Sequence, residues 1–86
     1  MDITVYTLPA CVQCETTKRY LDKQGVDYTV VDISTSEDAH KRVTDLGYSQ
    51  APVVSVNNGD QHWSGFRLDK LQYVSYSVHN PEKISA

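Results

Sequence analysis

Short β-branched runs alternate with amphipathic stretches along the chain, and the spacing of apolar positions predicts seven elements. Ile3-Thr4-Val5-Tyr6-Thr7 reads as a strand. Leu8-Pro9-Ala10 ends it, because proline cannot continue a ladder and restrains the residue before it. Glu15 to Gln24 is helix-forming sequence that stops at Gly25, with Thr17, Tyr20, Leu21 and Gln24 at i, i+3, i+4, i+7 as its inward face. Asp27 to Ile33 predicts a second strand, with Tyr28, Val30, Val31 and Ile33 in apolar contact. The run Ser34 to Asp38 is a helix start, and Ser34 with Glu37, or Thr35 with Asp38, forms a capping box. Ala39, Val43 and Leu46 share one face of this helix, which closes at Gly47.

Tyr48-Ser49-Gln50 leads into Ala51-Pro52-Val53-Val54-Ser55-Val56, where a proline before a β-branched run requires an edge, a strand start or a turn. Asn57 to Asp60 is a hairpin turn with Asn58-Gly59 as its type I′ signal, and Gln61-His62-Trp63 returns. Phe66 to Val78 predicts a third helix presenting Leu71, Val74 and Val78, followed by a polar tail over 79–86 that frays beyond Pro81. The order β-α-β-α-β-β-α is that of an α/β fold, a four-stranded mixed sheet with helices on both faces. Its first two strands run parallel through a right-handed crossover.

Bulk properties narrow the function. At 86 residues there is room for a single domain, placed at 1–78. Eight basic against 11 acidic residues give a net charge of −3 with no basic block, which argues against nucleic acid and anionic membranes as partners. No apolar run approaches the ~20 residues of a membrane span, and the first residues lack the pattern of a secretion signal, so a cytoplasmic location is expected. There, a CxxC pair is redox-active more often than it is a staple.

That pair is Cys11-Val12-Gln13-Cys14, holding both cysteines of the chain, at a strand-to-helix corner. Residues i and i+3 share a helix face, so the two sulfurs can close and reopen a small disulfide ring. Cys11 falls at the helix entrance, where unpaired N–H groups and the macrodipole favour an anion. Lowering a thiol pKa from ~8.5 to ~7 raises the thiolate fraction at neutral pH about fifteen-fold, while nucleophilicity falls about six-fold. A low pKa therefore serves Cys11 at least as much as a leaving group as it does as an attacker. Half of a zinc site is the competing reading, but no second cysteine pair is present and His40, His62 and His79 lack ligand-like spacing. A structural disulfide is weaker still, since so short a loop removes little unfolded-state entropy. Lys18 and Arg19 read as a solvated face, with added positive potential near the thiolate as the alternative.

Three motifs then carry a family resemblance: Cys11-Val12-Gln13-Cys14, Ala51-Pro52-Val53-Val54 and Trp63-Ser64-Gly65-Phe66. Together they make the chain similar to thioredoxin-fold redoxins of glutaredoxin size, and to the NrdH-redoxins in particular, from Ile3 to the third helix. The resemblance implies that Pro52 is a cis-proline facing the disulfide, with Ala51 offering backbone groups to a bound polypeptide. It implies that Cys11 is the exposed nucleophile and Cys14 the shielded resolving thiol. It also implies electron transfer to a class Ib ribonucleotide reductase, with recharging by thioredoxin reductase and NADPH, no bound cofactor or metal, and action as a monomer. Val12, Gln13, Ala51, Pro52, Trp63, Ser64, Gly65, Phe66 and Arg67 become the expected partner surface, the aromatic rings serving as anchors or as packing. Leu68 departs from the family pattern, which has proline there.

Glutathione-using glutaredoxins usually carry lysine at the position of Leu8, Thr-Val-Pro in place of Gln50-Ala51-Pro52, and Gly-Gly-x-Asp in place of Ser64-Gly65-Phe66-Arg67. Arg67 sets a positive charge where an ammonium group needs a negative one. A glutathione-dependent glutaredoxin and an iron–sulfur or metal-binding module remain as alternatives.

Overall fold

The computed structural model describes residues 1–80. The elements are β1 (Ile3–Thr7), α1 (Val12–Lys23), β2 (Thr29–Asp32), α2 (Glu37–Asp45), β3 (Val53–Val56), a one-turn 3₁₀ segment (Asn57–Gly59), β4 (Gln61–Ser64) and α3 (Leu68–His79). The sheet order is β2-β1-β3-β4, with β1 parallel to β2 and antiparallel to β3, and β3 antiparallel to β4. This is the predicted mixed sheet and element order.

Alternation along β1 sends Ile3 and Val5 into one core, where they meet Leu21 of α1, Val54, Val56, Trp63, and Leu71 and Val74 of α3. On the opposite face Val53 packs with Ile33, Ala39 and Val43 against Tyr6, Val31 and Tyr48. All four residues of β3 are buried. A strand made mostly of valine, Val53-Val54-Ser55-Val56, is what a central strand covered on both faces requires.

The local corrections have separate causes. α1 starts at Val12 with Cys11 as its N-cap, so Cys11 stands at the helix entrance as expected and the helical run simply begins ahead of Glu15. β2 is shorter than predicted and lies at the sheet edge, so Val30 is 46% exposed where apolar contact was expected. Tyr28 lies outside the strand and donates its hydroxyl to Asp22 Oδ1 at 2.8 Å, and burial followed by that carboxylate pushes its pKa up to about 12. Neither expected capping box forms. Ser34 donates both N–H and Oγ–H to Asp32 Oδ1, at 2.8 and 2.6 Å, which leaves Ser36 to accept from Ala39 N–H as the cap of α2.

The hairpin is a four-residue connection closed by Val56 and Gln61 rather than a two-residue turn on Asn58-Gly59. Asn57 exchanges hydrogen bonds with Asp2 and so extends the β1–β3 ladder past the expected turn start. α3 begins at Leu68 instead of Phe66, since Arg67 is still extended, and it runs through His79. The tail expected from 79 therefore starts inside a helix, and its remainder, 81–86, lies outside the described residues.

Leu71 of α3 is fully buried in the core against the sheet, whereas Ser36 supplies one capping bond. Leu71→Ala is expected to cost about 2–5 kcal/mol and Ser36→Ala about 1 kcal/mol in urea denaturation. A Ser36→Ala loss as large as that of Leu71→Ala would contradict this division between core and cap.

Candidate active site

β1 delivers the chain to the site. Thr7, its last residue, is buried, and Leu8-Pro9-Ala10 turns away from the sheet with Ala10 at φ +56°. Cys11 follows in extended conformation as the N-cap of α1, and its Sγ accepts the Cys14 N–H at 3.1 Å while its carbonyl accepts Glu15 N–H at 3.1 Å. A sulfur thus fills the place that a serine or aspartate oxygen takes at most helix starts. The cap also holds Cys11 where the helix entrance stabilises a thiolate. Cys11 and Cys14 form a disulfide with Cα atoms 5.2 Å apart. Cys11 is partly exposed and Cys14 fully buried, an asymmetry that suits one sulfur to attack and the other to resolve.

Two further segments close on this corner. The Ala51–Pro52 peptide is cis, and the Pro52 carbonyl accepts Gly65 N–H at 2.8 Å. Ser64 Oγ donates to the Gln50 carbonyl at 3.2 Å. Phe66 N–H, the next amide along, donates to Gln13 Oε1 at 3.0 Å. Gly65 has φ +86°, and a Cβ there would lie 3.2 Å from Gln13 Oε1, so backbone conformation and space both call for glycine.

The structure sorts the predicted site residues. Val12 is 79% exposed beside Cys11, Gln13 is exposed, Pro52 is buried, and Ala51, Ser64, Gly65 and Phe66 are partly buried. Trp63 does not belong to the exposed surface: it is 4% exposed within the α1–α3 core and supports the site from beneath. Its Nε1–H is buried without a hydrogen-bond partner among the described residues.

Arg67 is exposed, and its guanidinium grips Asp69 through Nε at 3.2 Å and Nη2 at 3.0 Å. The cation noted in the sequence is therefore half of an ion pair. The pairing holds the Asp69 carboxyl below the usual aspartate range and raises Arg67. Lys18 likewise bridges to Glu15 at 2.9 Å, so its charge is balanced locally, although its side chain is partly buried where a solvated face was expected. Among the described residues no three His, Cys, Asp or Glu side chains gather where they could hold a metal ion.

Sequence reasoning missed the link from Gln13 to Phe66 and the pairing of Arg67 with Asp69. The signal for the first was Gly65, a glycine between two aromatic-bearing positions. The second is a spacing of two residues in a helix entrance, which no periodicity marks.

A dithiol capping the first helix of a four-stranded mixed sheet, flanked by a proline loop, defines a thioredoxin-fold thiol–disulfide oxidoreductase. Comparison narrows the class. The Glutaredoxin family model matches residues 3–63. The glutaredoxin-like protein NrdH of Salmonella typhimurium is 38% identical over 79 residues, covering 92% of this chain and 95% of that protein. NrdH of Escherichia coli is 37% identical over the same coverage. The solved structure of NrdH-redoxin from Escherichia coli superposes with a TM-score of 0.80 at 38% identity, covering 86% of this chain and 95% of that one. The chain belongs to the glutaredoxin family and, within it, to the NrdH glutaredoxin-like proteins.

The Arg67–Asp69 pair gives a pH test with a fixed sign. Because the folded carboxyl lies below its unfolded value, the pair contributes stability above the unfolded pKa, about 3.9, and loses it as pH falls through the lower folded pKa. NMR titration of the Asp69 carboxyl should give a midpoint below 3.9 that returns towards about 3.9 in Arg67→Ala. An unmoved midpoint would show that the pair does not form in solution.

Proposed function

We propose that the chain is a protein-disulfide reductant that donates electrons to a class Ib ribonucleotide reductase and is recharged by thioredoxin reductase from NADPH rather than by glutathione. It acts as a monomer in the cytoplasm, and the described residues include no helix long and apolar enough to cross a membrane. Membership of the NrdH proteins supports the reading, and so does the Escherichia coli relative, whose structure was described as explaining a thioredoxin-like activity profile.

The observation that carries the choice of reductant is the loop beside the dithiol. A glutathione-binding site needs a carboxylate for the γ-glutamyl ammonium and a cation for a carboxylate. The carboxylate here, Asp69, is already held by Arg67, and the position suited to the cation is Leu8. What the surface offers instead is apolar contact at exposed Val12 and Leu8, with partly buried Phe66 and Ala51, which fits a polypeptide.

The reaction transfers two electrons. Cys11 thiolate attacks one sulfur of the partner's disulfide, forming a mixed disulfide and expelling the partner's other sulfur as thiolate. Cys14, deprotonated, attacks Cys11 Sγ. That forms the Cys11–Cys14 disulfide and releases the partner's second thiolate. Thioredoxin reductase then returns two electrons from NADPH and restores the dithiol.

The test follows NADPH oxidation with a disulfide-bonded class Ib reductase subunit as acceptor. One arm contains thioredoxin reductase alone, the other glutathione with glutathione reductase. Turnover in the first arm, at least about ten times that in the second, is expected, since tenfold corresponds to the ~1.4 kcal/mol of one lost ionic contact. Turnover confined to the glutathione arm would make the chain an ordinary glutaredoxin. Silence in both arms would equally overturn the proposal.

A further inference from the structure

Three groups of the 65–67 segment donate within the chain itself. Gly65 N–H goes to the Pro52 carbonyl, Phe66 N–H to Gln13 Oε1, and the Arg67 guanidinium to Asp69. The first and third bonds stay within the wall of the site. The second is different, because its acceptor belongs to the CxxC motif, between the attacking and the resolving sulfur. A carboxylate-bearing disulfide approaching Cys11 would look for N–H donors on this loop. It finds Phe66 N–H already covered by a neutral acceptor at 3.0 Å. Its anionic oxygen would have to displace that amide and leave the Gln13 oxygen without a protein donor.

We infer that Gln13 is a specificity-determining residue. Its side-chain oxygen plugs the Phe66 amide against anionic small disulfides, and its free Nε2–H donors serve the carbonyl groups of an extended polypeptide. The inference deepens the glutathione-independent reading and rests on it for its biological meaning. Its chemistry does not require thioredoxin reductase. Gly65 is part of the device, since a Cβ at that position would crowd Gln13 Oε1 at 3.2 Å.

The experiment uses the full-length protein, reduced chemically and freed of reductant, reacting once with each of two disulfides. Glutathione disulfide carries carboxylates; hydroxyethyl disulfide carries none. In both cases Cys11 thiolate forms a mixed disulfide and expels one thiolate. Cys14 then displaces the second, so one dithiol is oxidised and one disulfide reduced to two thiols. Taking the ratio of the two rates cancels any change in Cys11 nucleophilicity, which a purely structural defect at the helix start would alter.

Gln13→Ala uncovers Phe66 N–H and should raise the ratio of glutathione disulfide to hydroxyethyl disulfide about fivefold, the order of one freed neutral donor. Gln13→Glu keeps an acceptor on Phe66 and should leave the ratio at or below that of the unsubstituted protein. Amide exchange should show Phe66 N–H protected in the parent and in Gln13→Glu and unprotected in Gln13→Ala. An unchanged ratio in Gln13→Ala with Phe66 deprotected would overturn the inference, and so would an equal rise in Gln13→Glu. Unaltered Phe66 protection in Gln13→Ala would show that the plug does not exist. Failure of the thioredoxin reductase arm described above leaves these single-turnover ratios readable, so the two readings fall separately.

Discussion

The hydrogen bond from the Cys14 amide to Cys11 Sγ at 3.1 Å is the contact the rest of the site depends on. It makes the attacking sulfur the cap of α1, so that helix formation and sulfur placement are one event. A helix start leaves several N–H groups without partners, and an anion at that position is stabilised by them and by the aligned peptide dipoles. Thr7 anchors the end of β1 in the core, and Ala10 takes a left-handed conformation that costs an alanine about 1–2 kcal/mol. That cost is borne because Leu21 and Thr17 bury α1 firmly against the sheet.

Around that cap the molecule builds a frame from backbone groups rather than from charged side chains. Two segments, 50–52 and 64–66, are tied to each other by Gly65 to Pro52 and Ser64 to Gln50, and to α1 by Phe66 to Gln13. Trp63 sits under the frame in the core, and Val12 stands out in solvent above it. The ion pairs near the site, exposed Arg67 with Asp69 and partly buried Lys18 with exposed Glu15, balance local charge. Surface pairs of this kind add little to stability. Apolar Val12 and Leu8 are exposed beside the Gln13 amide, and under the proposed reading they meet a protein partner.

Element order and sheet topology were legible because β-branched runs and i, i+3, i+4 spacing report burial directly, as at Val53-Val54 and at Leu71 with Val74. The dithiol corner was legible from cysteine spacing and the proline break. Three things were not. The start of α2 was misplaced where a polar side chain acted on the backbone, Asp32 capturing Ser34 so that Ser36 became the cap. Trp63 was ambiguous because an indole fits a core and a docking surface equally well by composition, and β4 register placed it opposite Val54, facing inward. The Gln13–Phe66 bond joins residues 53 positions apart, which one sequence without its fold cannot bring together.

The most direct measurement of the central claim, an exposed Cys11 thiolate at the helix entrance against a buried Cys14, is timed alkylation of the reduced protein. Iodoacetamide is added at neutral pH and the label is located by mass spectrometry. The account predicts that Cys11 is labelled well before Cys14, at least about tenfold faster, because thiolate fraction and access both favour it. Labelling of Cys14 first, or of both cysteines at equal rates, would contradict the division of roles between the two sulfurs.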